Sequence, residues 1–134
     1  MNVRCASSSA ALLMFAALAL PTPATAVVGG AYTTVLSILS TSSALPAPAT
    51  TGLVYGGCMV NIATPVKQFS NSPNCPGAWV SFSCDGTYAS QSAALMLLDQ
   101  AQMALALGKQ VYIEVDDQKL HNTFCTATRI DIRQ

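Results

Sequence analysis

The chain has 134 residues, 51% of them hydrophobic, with six lysines and arginines against six aspartates and glutamates and a single histidine. A balance this close to neutral lacks the basic footprint of a nucleic-acid binder, and no basic amphipathic helix points to a membrane surface. The length suits one domain.

The first segment reads as a leader. Residues 1–26 open with Arg4, run through the apolar stretch AALLMFAALAL and finish with PTPATA. That is the pattern of a secretory signal peptide, with Ala24 and Ala26 as the small residues before the cut. The apolar run falls short of the about 20 residues that cross a bilayer, so no stable membrane anchor is expected. Cys5 precedes the apolar stretch, where no lipobox could be. Cleavage after Ala26 removes 26 of the 134 residues and leaves 108, residues 27–134, as a single domain exported to the periplasm or secreted. Its formal charge is minus one, from five basic and six acidic side chains.

The exported part begins with an extended segment, AYTTVLSILST at residues 31–41. The proline-containing loop SALPAPATTG joins it to a second strand within YGGCMVNIAT, where Cys58, Val60 and Ile62 share one face. After the turn-rich PVKQFSNSPNCPG, a third strand in AWVSFSC places Val80, Phe82 and Cys84 on one face and Trp79 on the other. An antiparallel hairpin with Cys58 opposite Cys84, Val60 opposite Phe82 and Ile62 opposite Val80 buries both apolar sets together. A one-residue slip would turn that face away from the core.

SQSAALMLLDQAQMALALGK then reads as a helix, with Ser90 as N-cap and Gly108 with Lys109 as the C-terminal signal. Ala94, Leu97, Leu98, Ala101, Ala104 and Leu105 form an apolar stripe opposite Gln91, Asp99 and Gln102. Met96 and Met103 widen the apolar surface, as a core helix, a ligand groove or a subunit contact would each require. Two strands follow: QVYIEVD, with Val111, Ile113 and Val115 inward, and TATRIDIR, with Thr128, Ile130 and Ile132 inward. The polar turn DQKLHNTF separates them.

Four cysteines remain after cleavage, Cys58, Cys75, Cys84 and Cys125, and an even number in a small exported chain implies a disulfide framework. Neither a CxxC pair nor clustered histidines are present, so no metal site, redox pair or cofactor is expected. Cys75 and Cys84 on one extended segment would stand about 30 Å apart, whereas a disulfide spans about 7 Å between Cα atoms at most. The order of three strands, a helix and two strands matches a five-stranded OB-fold-like barrel. The class is mainly β with one helix (α+β), in the order β-β-β-α-β-β. In that topology the last strand runs parallel to the third and antiparallel to the fourth, which brings Cys125 to Cys75 and leaves Cys58 for Cys84. The hairpin register selects the same two disulfides.

GAWVSFS and the alanine-rich helix ending GKQVYIEV resemble the B subunit of subtilase cytotoxin and a looser group of small exported bacterial proteins. The resemblance covers residues 74–134 and rests on Cys75 with Pro76, Gly108 with Lys109, and Cys125. It implies an OB-fold that binds glycan, assembles as a homo-oligomer and serves a protein partner; none of the family's sugar contacts maps onto this chain.

Three sets of polar or aromatic residues carry the remaining functional expectations. Asp116 and Asp117 are candidates for an acid-base carboxylate pair or a calcium contact, against the ordinary reading of a solvated turn. His121 is a general base without an identifiable nucleophile. Trp79 points away from the Val80 and Phe82 face, where it stacks on a sugar or is covered by the helix or the long loop. With no catalytic set assembled, the expectation is a binding module for a glycan or protein and not an enzyme. The alternatives are a small periplasmic enzyme using His121 and the Asp116/Asp117 turn, or an inhibitor or structural protein.

Overall fold

The computed structural model describes residues 25–41 and 55–134, so most of the leader and the proline-containing loop lie outside it. Five strands close into a barrel, β1 (Val28–Ser40), β2 (Cys58–Ile62), β3 (Trp79–Ser81), β4 (Gln110–His121) and β5 (Phe124–Ile132), in the spatial order β1-β2-β3-β5-β4. Helix α1 (Gln91–Leu107) lies between β3 and β4 in the chain. The expected order β-β-β-α-β-β, the parallel pairing of β3 with β5 and the antiparallel pairing of β4 with β5 are all present. Among the described residues no helix is long and apolar enough to cross a membrane.

Inward alternation fills the barrel. Val35, Val60, Ile62, Val80, Phe82, Val111, Ile113, Val115 and Ile130 are buried together. Helix α1 adds Ala94, Leu98, Ala101 and Ala104, and three alanines in that set let the helix backbone approach the strands closely. The helix starts where Ser90 Oγ accepts the Ala93 amide and stops at Gly108, whose φ of 62° only glycine adopts without strain. There the Lys109 and Gly108 amides donate to the Ala104 and Leu105 carbonyls, a Schellman pair. Leu105, expected in the buried stripe, is 39% exposed, while Leu95, Met96, Met103 and Leu107 face outward.

Both disulfides form as expected, Cys58 with Cys84 and Cys75 with Cys125, at Cα separations of 5.7 and 5.6 Å. The hairpin register behind the first of them is different. Val60 faces Val80 and Met59 faces Ser81, while the Phe82 amide donates to the Cys58 carbonyl at 2.9 Å. The pairing has slipped by two residues, which preserves the buried face because side chains alternate with a period of two. Cys84 then lies beyond the end of β3, and Ser83, at φ 53°, turns the chain back so that Cys84 still meets Cys58. Cys75 likewise sits in the loop before β3, so neither cysteine of NCPGAWVSFSCDG is on the strand itself.

The last hairpin departs from expectation twice. DQKLHNTF is not a polar turn throughout: β4 continues to His121, and only Asn122 and Thr123 turn, at φ 51° and 67°. Two positive φ values are what a type I′ hairpin requires. Residues 117–119 form the extra length on β4, between the register pairs Asp116 with Thr126 and Leu120 with Cys125. On β5, Thr128 is exposed and Ala127 is buried, because Thr128 is the unpaired residue of a bulge between the Glu114–Arg129 and Val115–Ala127 pairs.

The loop after β2 lies flat on the start of β1, where Ser70 N–H donates to the Gly30 carbonyl and Gly30 N–H to Ser70 Oγ. A Cβ on Gly29 would run into the Ser70 carbonyl oxygen and lie 2.6 Å from Pro73 Cγ. Gly29→Ala is therefore expected to cost about 1 to 3 kcal/mol, as overpacking does. Thermal unfolding of the variant checks this; an unchanged Tm would refute the close approach.

Candidate functional site

The outer surface of β2 and β3 carries a second, smaller apolar cluster. Met59, Asn61, Trp79 and Ser81 alternate outward there, opposite in direction to Val60 and Val80. Trp79 is half-buried and meets the Tyr55 ring edge-on at 5.7 Å between centroids, and Tyr55 packs on Phe124 at 4.9 Å. Trp79 is thus on the face the sequence assigned to it. Part of its cover comes from Tyr55, an aromatic partner the sequence reading missed.

His121 stands beside this cluster, at the end of β4. Its Nδ1 lies 2.7 Å from Ser81 Oγ, and its Nε2 lies 3.1 Å from Asp85 Oδ2. With the proton on Nε2, the Ser81 hydroxyl donates to Nδ1 and Nε2–H donates to Asp85, so every group is satisfied. Ser81 Oγ also accepts the Ser83 amide at 3.1 Å. A serine, a histidine and an aspartate in one chain of bonds invite comparison with a hydrolase triad. Relative to that triad the two ring nitrogens are exchanged, with serine on Nδ1 and the carboxylate on Nε2. Ser81 is also fully buried, which keeps a substrate carbonyl from its hydroxyl. What the chain of bonds does is tie β3, the turn after it and the end of β4 into one rigid corner.

Two more bonds fix the same corner. Asn122 Nδ2 donates to the Gly56 carbonyl at 2.8 Å, and the Tyr88 hydroxyl donates to the Leu120 carbonyl at 3.2 Å. The β4–β5 turn is thereby held against the entrance to β2, next to Tyr55.

The carboxylates expected to work with His121 are elsewhere. Asp116 is buried, accepting the Gln118 amide and pairing with Lys119 Nζ at 3.2 Å. Asp117 accepts the Val27 amide at 2.8 Å and the Asn74 amide at 3.3 Å. Asp116 is thus not the solvated residue expected, while Asp117, half-exposed, ties β4 to the chain before β1 and to the loop before β3. The carboxylate that does meet His121 is Asp85, 36 positions away, which no local spacing would have revealed. Among the described residues no group of three or more histidine, cysteine, aspartate or glutamate side chains is placed to hold a metal ion.

A further aromatic surface lies on the opposite strands. Tyr32 and Tyr112 meet edge-on at 5.3 Å, with Arg133 over the first ring and Arg129 over the second, and Asp131 binds both guanidinium groups. Set against protein-family models, curated proteins and solved structures, the chain matches none of them.

The Asp85 carboxyl is held well below the usual carboxylate range, first by the Thr87 hydroxyl; desolvation opposes this, and the Thr87 amide, the Ser83 hydroxyl and the neighbouring His121 add to the lowering. A depressed folded-state pKa stabilises fully above the unfolded value and loses that contribution as pH falls through the folded value. Asp85→Asn is expected to lower Tm at neutral pH, and the gap to the parent should narrow on acidification below about pH 4. Equal Tm values at neutral pH would sink this account.

Proposed function

We propose that the chain is an exported, disulfide-stapled OB-like binding module that recognises a glycan or a protein and catalyses no reaction. The observation that carries the reading is the Tyr55–Trp79 pair on the outer face of β2 and β3, beside the β4–β5 turn. OB barrels bind oligosaccharides and oligonucleotides on this face and with the loops next to it. The near-neutral charge favours sugar over nucleic acid. An aromatic ring held edge-on by another presents a rigid apolar plane, and Asn61, the register partner of Trp79, offers a neighbouring amide. The resemblance to a toxin B subunit adds glycan binding and ring assembly to this reading. Trp79→Ala is expected to abolish signal on a glycan array while circular dichroism stays native, and light scattering should find an oligomer. Loss in Tyr32→Ala with Trp79→Ala unaffected would move recognition to the other aromatic face; measurable turnover that disappears in His121→Ala would replace this reading with an enzyme.

Export is supported by the position of the first strand. β1 begins at Val28, so cleavage after Ala26 leaves every strand intact and turns the Val27 nitrogen into the terminal ammonium. That nitrogen lies 2.8 Å from Asp117 Oδ1. Hydrogen bonds from the Val27 amide, the Asn74 amide and Gln118 already hold the Asp117 carboxyl below its usual range. A chain starting at Val27 should unfold at a higher temperature than the same chain acetylated at Val27, and Asp117→Asn should erase the difference. Identical melting of the two forms in low salt would show that the ammonium has no place in the fold.

A further inference from the structure

The β3–β5 seam is short. The two strands share one register pair, Ser81 with Thr126, so β5 runs on past Thr126 without β3 beside it. Helix α1 covers this gap incompletely and leaves a cavity of about 360 Å³. Binding pockets for small molecules start at about 300 Å³. The cavity shares no residue with the Tyr55–Trp79 face.

Its two walls differ in chemistry. The helix side is mostly apolar, with Ala93, Met96 and Leu97 beside the one polar side chain of Gln100. Met96 is 63% exposed and its flexible thioether adapts to varied shapes. On the strand side are Thr126 and Lys119. Thr126 is 1% exposed, and among the described residues its hydroxyl is the one buried side-chain polar atom without a hydrogen-bond partner. A buried polar group without a partner in a protein interior is uncommon and calls for an explanation. Lys119 is the only charged residue of the lining. Its ammonium has three donors, and the bond to Asp116 Oδ2 at 3.2 Å uses one. Asp116 is also the register partner of Thr126, so the ammonium and the orphan hydroxyl belong to the same patch of sheet.

We propose that this cavity binds a small carboxylate amphiphile of the chemical class of a medium-chain fatty acid. The carboxylate sits on the free donors of Lys119 and the Thr126 hydroxyl, and the aliphatic chain lies along Ala93, Met96 and Leu97. The inference is independent of glycan recognition, because it concerns other residues and another ligand class.

The test titrates the purified 27–134 chain with decanoate below its micelle concentration, followed by amide chemical shifts and calorimetry, with decanol as the uncharged counterpart. Saturable binding at one site is expected, with shifts centred on Ala93, Leu97 and Thr126. Thr126→Val should weaken decanoate by roughly fivefold or more, since it removes a hydrogen bond to a charged group while keeping the side chain's shape. Lys119→Met should weaken decanoate and leave decanol unchanged. Ala93→Phe should block both ligands; if it unfolds the chain, Met96→Gln, at an exposed position, tests the apolar wall instead and should weaken both. Absence of saturable binding, or decanoate binding indifferent to Thr126→Val and Lys119→Met in folded variants, overturns the proposal. Equal affinity for decanol and decanoate overturns the assignment of the carboxylate.

Discussion

The barrel closes through one parallel register pair, Ser81 with Thr126, and the surrounding structure compensates for the shortness of that ladder. A strand of three residues cannot hold a seam by backbone hydrogen bonds alone. The two disulfides flank it. Cys75–Cys125 joins the entrance of β3 to the start of β5, and Cys58–Cys84 joins the exit of β3 to β2. Their sequence separations of 50 and 26 residues correspond to about 3.5 to 4 kcal/mol each in the loop-entropy account. Side chains complete the closure, with the Ser81 hydroxyl reaching His121 across the seam and His121 reaching Asp85 beyond it.

The Tyr55–Trp79 face and the cavity both follow from this seam. On one side its closure is tight: the His121 corner and the Asn122–Gly56 bond fix the β4–β5 turn against β2, and that rigidity presents Tyr55 and Trp79 without further ordering cost. On the other side it is open, because β3 ends and the helix only partly fills the space over β5. The same missing ladder that requires two disulfides leaves the cavity beneath Met96. The His121 corner brings the residue types of a catalytic triad together across that closure. Ser81 is fully buried within it.

The sequence was most legible where one local rule acts alone. Ser90 and Gly108 mark the helix ends because capping depends on a few adjacent residues. Val111, Ile113 and Val115 alternate inward as written, because the extra residue of the bulge opposite this stretch, Thr128, lies on β5 and not on β4. The disulfide pairing was also legible, although by an argument whose register was two residues off. It survived because period-two alternation keeps the same face inward after such a slip, while the turn at Ser83 restores the distance. Thr128 shows the opposite case. One bulge residue on β5 reverses the alternation, and a threonine there carries no signal that distinguishes it from an inward β-branched residue.

By itself the sequence determined the element order, the helix and its caps, the inward sets of β2, β3 and β4 and which cysteines join, since these depend on local propensity, periodicity and chain topology. Only the tertiary structure decided which carboxylate His121 meets, what packs on Trp79, and that Asp116 is buried beside Lys119 while Asp117 ties β4 to the chain before β1. Apart from Asp116 with Lys119 inside β4, those contacts join residues far apart in the chain. They form only once a register is chosen, and register is set by bulges and turns, such as those at Ser83, Asn122 and Thr128, whose local sequences do not announce them. The unpartnered Thr126 hydroxyl belongs to the same class, because whether a buried group has a partner is a property of the whole packed neighbourhood and not of the residue.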